Sequence, residues 1–183
     1  LFDESIKLFV GGHAEATFAL LRQFRIANYL FESTLRSTTD PEAPASRLLT
    51  LALRNTDTRL AEGKSVTPAF LYAALLWPPL QQELNALPAP KLIDLQDAAS
   101  SVIMDQLQRT AIPRRFTTAM REIWELQLRL RLRSRRSVES VLAHPRFRAA
   151  YDFLLLREDA GEDLDGLGQW WTDFQIGDRA QQE

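Results

Sequence analysis

At 183 residues, 45% hydrophobic and 25% charged, the chain has globular composition, can bury about 70% of its unfolded surface, and is one large domain or two small ones rather than a disordered segment. The absence of cysteine excludes a disulfide framework and any thiolate metal site, and the longest apolar stretch, Phe70 to Leu80, is broken by Pro78-Pro79 and falls short of the ~20 residues of a membrane span. The net charge of −2 conceals three blocks: residues 1–108 carry −3, residues 109–157 carry 12 arginines against Glu122, Glu125, Glu139 and Asp152 for +8, and residues 158–183 carry −7. Guanidinium forks suit phosphates and stack on bases, so an excess made of arginine alone reads as a polyanion-facing surface rather than a merely solvated helix face.

No signal peptide is visible, and a reducing, cytoplasmic-type compartment fits the lack of cysteine. The chain opens at Leu1, without methionine, on an apolar helix-like run, which reads as a piece of a longer protein.

In chain order the periodicity is helical almost throughout. Phe2, Ile6 and Phe9 mark a helix over 1–10 that Gly11-Gly12 ends. His13 to Phe24 is a second, with Ala14, Phe18 and Leu21 on one stripe, and Ile26 to Phe31 a short third. After a loop from Thr38 to Pro44, Ser46 is expected to cap a helix ending near Gly63. Thr67-Pro68 is a second start signal and opens Ala69 to Trp77, apolar nearly all round and therefore central, with Pro78-Pro79 expected to terminate it. Leu84 to Pro90 is a connector, and Lys91 to Thr110 a long amphipathic helix. Beyond Pro113, Thr117 is expected to cap a helix running to about Leu132, supported by Arg121–Glu125 and Glu125–Arg129 pairs at i,i+4. Leu128 to Arg133 alternates apolar and basic, a strand-like pattern that the helical context overrides. Pro145 starts a helix through Leu156, and a last helix holds Trp170, Trp171 and Phe174. The fold class is all-α, an array of packed helices.

Candidate catalytic chemistry fails on context. Asp163-Leu164-Asp165 is a D-x-D, but paired carboxylates need a rigid strand to aim a magnesium ion, and these lie among Gly161, Gly166 and Gly168 in a loop. His13-Ala14-Glu15 matches the H-x-E of zinc deaminases without their cysteines; His13 is expected to cap a helix, and His144, before Pro145, to sit at a turn. No serine elbow, P-loop or dinucleotide fingerprint occurs. Of the adjacent Trp170 and Trp171, which cannot share one helix face, one is expected in the core and the other as a lid or a stacking platform for a base.

Several stretches together resemble one family: Leu1-Phe2-Asp3-Glu4 with Lys7-Leu8-Phe9 and Gly12-His13-Ala14; Thr67-Pro68-Ala69-Phe70-Leu71-Tyr72 running on to Trp77-Pro78-Pro79; Ile112-Pro113-Arg114-Arg115-Phe116; Met120-Arg121-Glu122-Ile123-Trp124; His144-Pro145-Arg146-Phe147-Arg148; and Trp170-Trp171. Their order and length resemble the C-terminal part of the bacterial poly(A) polymerases, relatives of the tRNA CCA-adding enzymes, over nearly the whole chain. The resemblance implies a nucleotidyltransferase that adds AMP from ATP to RNA 3′ ends. It implies a catalytic head, with its magnesium-binding D-x-D on a strand, and a nucleotide-selecting motif in the neck, neither of which lies in this sequence. ATP and Mg2+ are therefore expected in the head, and this segment has no catalytic residue, no cofactor and no metal site.

On that reading residues 1–110 are a neck and body segment, and residues 111–183 an arginine-rich C-terminal segment with an acidic tail. The partner is an RNA 3′ end, held by Arg109, Arg114, Arg115, Arg133, Arg135, Arg136, Arg146 and Arg148. Arg114-Arg115 and Arg146-Arg148 follow prolines at helix entrances, where backbone N–H groups also favour anions. The rival is a helical protein-interaction module whose arginines dock an acidic partner such as an RNA-decay protein.

Overall fold

The computed structural model describes the backbone of residues 2–182 and the side chains of residues 2–177. Among the described residues there are twelve α-helices and no strand, the packed helical array expected from the periodicity. They are α1 (Phe2–Phe9), α2 (Ala14–Gln23), α3 (Ala27–Leu30), α4 (Glu32–Arg36), α5 (Pro44–Ala61), α6 (Pro68–Leu75), α7 (Trp77–Asn85), α8 (Leu92–Leu107), α9 (Arg114–Arg129), α10 (Arg135–Leu142), α11 (Phe147–Asp159) and α12 (Leu167–Gln182). None is long and apolar enough to cross a membrane.

The apolar helix α6 is central. Ala69 and Leu71 to Leu75 are all buried on it, and α5, α7, α9 and α11 pack around it. Thr67 caps it, accepting from the Phe70 N–H, with Pro68 at the first helical position, where a missing N–H costs nothing. Ending a helix inside a core leaves carbonyls without donors. Here side chains supply them: the Thr34 hydroxyl donates to the Leu75 carbonyl at 2.7 Å and the Trp124 indole to the Ala73 carbonyl at 3.1 Å.

Several expected boundaries differ for local reasons. Pro78-Pro79 do not terminate a helix; they occupy the first turn of α7, a position proline fits. Pro44 at the start of α5 pre-empts Ser46, whose hydroxyl instead donates back to the Asp40 carbonyl at 2.5 Å. Likewise Thr117 lies inside α9, which Pro113 opens. His13 stands before α2, but its side chain makes no cap. Asp57, from α5, accepts from the Ala14 and Glu15 N–H groups instead, placing a carboxylate on the positive end of α2. His144 does sit at a turn, its Nδ1 accepting from the Arg146 N–H at 3.0 Å. Neither i,i+4 pair on α9 forms: Arg121 donates to Ser100, Glu125 accepts from Gln96, and Arg129 donates to Ser140. Residues 128–133 finish α9 and turn, without pairing as a strand. Helices α4, α7 and α10 are additions to the expected set; Ser134 caps α10, accepting from the Ser137 N–H.

The described core has two clusters. The larger runs from Phe2 to Trp124 and takes in Phe153 and Ala160, with Phe2, Phe9, Phe18, Phe31 and Tyr72 at ring spacings of 5.3 to 6.4 Å. The smaller joins Leu126 and Leu130 to Val138, Val141, Tyr151, Leu154, Leu167 and Trp171. Helix α9 contributes Ala119 to Trp124 to the first and Leu126 to the second.

Tyr72 is fully buried, and its hydroxyl shares a 2.7 Å hydrogen bond with Ser5. Burial pushes its pKa above the ordinary value, against the opposing pull of hydrogen bonds to Ser5 and Thr110. A raised folded-state pKa means that the stability it contributes is complete below the unfolded value, about 10, and is lost as pH rises from there towards the folded value. Tyr72→Phe is expected to cost about 1 kcal/mol at neutral pH, from the lost hydrogen bond. It should also flatten the alkaline fall in the urea midpoint, measured from about pH 8 to 11. An unchanged alkaline limb would refute this assignment.

Candidate nucleic-acid interface

The fold sorts the arginines of the positive block by what surrounds them. Arg109 is turned back onto Glu32 of α4 and is half spent as an ion pair. Arg157 is buried: it pairs with Glu162 at 2.7 Å, donates to the Gln127 amide oxygen at 3.2 Å and lies 4.9 Å from the Trp77 ring. Arg157 is a structural residue, and nothing in the sequence separates it from the other eleven.

Most of the remaining cations collect in two places. The first is the α9–α10 turn, where Arg131, Arg133, Arg135 and Arg136 are all exposed. Glu139 is the one carboxylate on α10; it holds Arg135 at 2.8 Å and raises its pKa, an exposed pair of small energetic consequence. The turn is anchored from below by Trp171, fully buried, whose indole donates to the Leu130 carbonyl at 2.9 Å. Its neighbour Trp170 lies edge-on to it and stacks on Phe174 at 5.4 Å and 21°, with the Arg133 guanidinium 5.4 Å from its ring. Guanidinium and aromatic groups side by side are the combination that binds single strands, through phosphate contacts and base stacking. One tryptophan in the core and the other half-buried at the surface is the division expected of the pair.

The second place is a cavity of about 440 Å3 between the end of α5, the start of α6, the first half of α9 and the start of α11. Arg115, Arg146 and Arg148 converge on it from α9 and from the entry to α11, and Arg59 joins them from α5. Arg146 pairs with Glu122 at 3.1 Å and Arg148 with Asp152 at 3.1 Å, both partly exposed. Arg115 lies 4.7 Å from the Phe116 ring, and Arg114 beside it is exposed at the first position of α9. Arg59 comes from the acidic block, where nothing in the sequence singles it out; its guanidinium donates to the Ser65 carbonyl, and only the fold brings it here.

The D-x-D lies in the connection between α11 and α12. The Asp163 carboxylate accepts from the Asp165 N–H at 3.2 Å in an exposed turn, and among the described residues no three carboxylate or imidazole groups converge.

Comparisons with known proteins point to one family. A family model described as "Polymerase A arginine-rich C-terminus" matches residues 88–183, and one described as "Probable RNA and SrmB- binding site of polymerase A" matches residues 1–36. Similar curated proteins include Poly(A) polymerase I of Escherichia coli O157:H7, 38% identical over 183 residues, which cover 96% of this chain and 39% of that protein. The Salmonella typhimurium (strain LT2) Poly(A) polymerase I is 36% identical over 182 residues, 96% and 39%. That of Haemophilus influenzae is 36% identical over 190 residues, 100% and 42%. The chain thus spans about two-fifths of the length of the curated relatives it matches.

Proposed function

The chain belongs to the family of the polymerase A arginine-rich C-terminus, and from that premise we propose that it holds an RNA 3′ segment for a polymerase that adds AMP from ATP. The observation that carries this reading is the α9–α10 turn, where four arginines are exposed and the guanidinium of one, Arg133, lies over Trp170, itself stacked on Phe174. Arginines bind phosphates whatever the base, which suits a growing homopolymer. The adenylyl transfer itself, with its ATP and magnesium, belongs to the part of the relatives this chain does not cover, and the setting is the cytoplasm. The residues here grip and orient the strand; none of them makes or breaks a bond.

A second reading, a protein-docking helical module, has one specific observation in its favour. Leu20, Phe24, Ile26 and Tyr29 are exposed around the α2–α3 bend, Tyr29 by 73%. Filter binding with labelled oligo(A), with polyglutamate as competitor, separates the two. Oligo(A) is expected to bind with log affinity falling about 0.7 per log unit of salt for each phosphate neutralised, and polyglutamate of matched charge to displace it poorly. Displacement at equal charge concentration would favour the acidic protein partner.

A further inference from the structure

The cavity between α5, α6, α9 and α11 has a chemistry the surface turn lacks. Its floor is apolar, built from Val66, Phe70, Phe116, Ala119 and Ile123. Four guanidinium groups line it against a single carboxylate, Asp152, which Arg148 already holds. Asn55, half-buried on α5, also lines it. At about 440 Å3 it lies in the range of small-ligand pockets, roughly 300 to 1,000 Å3, and suits one nucleotide rather than a length of strand.

We propose that this cavity takes one adenine nucleotide of the bound strand, with the base on the apolar floor, Asn55 on the base edge and the flanking phosphates on Arg115 and Arg146. The proposal rests on the RNA-binding reading above and adds to it a base-reading subsite. An amide offers one donor and one acceptor side by side. Adenine presents the complementary pair, an amino donor beside a ring-nitrogen acceptor, whereas the corresponding edge of guanine presents two acceptors. The amide of Asn55 can therefore hold adenine by this edge, and the arginines, blind to sequence, supply affinity. Arg59, held by the Ser65 carbonyl, fixes the loop that leads from α5 to Thr67 and closes one side of the mouth.

The test uses fluorescence anisotropy of the 183-residue chain with labelled oligo(A) and an abasic strand of the same length, and two variants. Asn55→Leu removes the reading amide; Ser65→Trp, in the exposed loop, obstructs the mouth without touching charge. Each is expected to weaken oligo(A) about tenfold while changing the abasic strand by no more than about twofold, with an unchanged melting temperature. AMP alone should compete far less well than oligo(A), since it lacks the phosphates that reach the α9–α10 turn. An unchanged ratio of oligo(A) to abasic-strand affinity in both variants overturns the subsite and leaves the RNA surface standing, provided that the Arg114→Glu, Arg115→Glu double variant still loses affinity. AMP competing as tightly as oligo(A) overturns the strand nucleotide in favour of a free one. If the wild-type chain binds no oligonucleotide at low salt, the subsite and the RNA-binding reading fall together.

Discussion

Arg114→Glu combined with Arg115→Glu is expected to weaken oligo(A) binding by at least about tenfold and to lower the slope of log affinity against log salt by about 1.4, or ~0.7 for each phosphate no longer neutralised. Arg114 is exposed at the first position of α9, and Arg115 faces the cavity beside Phe116. Reversal replaces attraction by repulsion where Arg146 and Arg148 also converge. The matched control is Arg36→Glu with Arg47→Glu, which shifts the net charge equally. Arg36 ends α4 and Arg47 is held by Glu42 at 2.5 Å, both in the acidic block. That pair should change affinity by less than about threefold. Because Arg115 also lies against the Phe116 ring, both proteins are compared by thermal melting first. Equal loss of affinity in two equally folded proteins would mean a diffuse field and no localised surface.

The largest effect on stability is expected at Arg157. Its side chain is 5% exposed and that of its partner Glu162 12%, so both charges are largely withdrawn from water. Arg157→Met leaves Glu162 buried without its cation and the Gln127 amide oxygen without its donor. Breaking one side of such a pair typically costs about 3–5 kcal/mol, most of it the stranded charge. The urea midpoint should fall accordingly. Arg157→Met with Glu162→Leu should recover most of the loss, because nothing charged is then left buried. A loss below about 1 kcal/mol in the single variant would mean that water reaches Glu162 once the guanidinium is gone.

Arg115 and Arg157 show where sequence reasoning stops. Both belong to the same positive block, and spacing treats them alike. What separates them is a set of partners for Arg157: Glu162 lies across the α11–α12 connection, Gln127 on α9, and Trp77 at the start of α7. The same holds for Arg109, spent on Glu32 from 77 positions away, and for Arg59, which reaches the cavity only because α5 and α11 pack together. Charge segregation is legible along the chain; its disposition in space is set by packing between elements.

Helix content is legible because the apolar period is local. The all-apolar run from Ala69 announces its central place, and Thr67-Pro68 its start. Expectation and structure part where one residue type carries two meanings. Proline ends a helix when it is interior and begins one when it is in the first turn, and the backbone of Leu76 decides between them at Pro78-Pro79. A serine near a helix start yields to a proline already there, as Ser46 does to Pro44. The capping of α2 by Asp57 has no local signal, since the carboxylate arrives from a helix 43 positions on.

The sharing of α9 between both core clusters has a kinetic consequence. Its residues from Ala119 to Trp124 are sealed by one cluster and Leu126 by the other. Amide hydrogens along this helix therefore exchange with solvent only when a cluster opens, and local opening of either one frees half the helix at most. The arginines at its two ends, Arg114 and Arg115 at the start and Arg129 at the finish, ride on a single stiff rod. The cavity and the α9–α10 turn thus keep a fixed spacing, and a strand laid between them meets a ruler rather than a hinge.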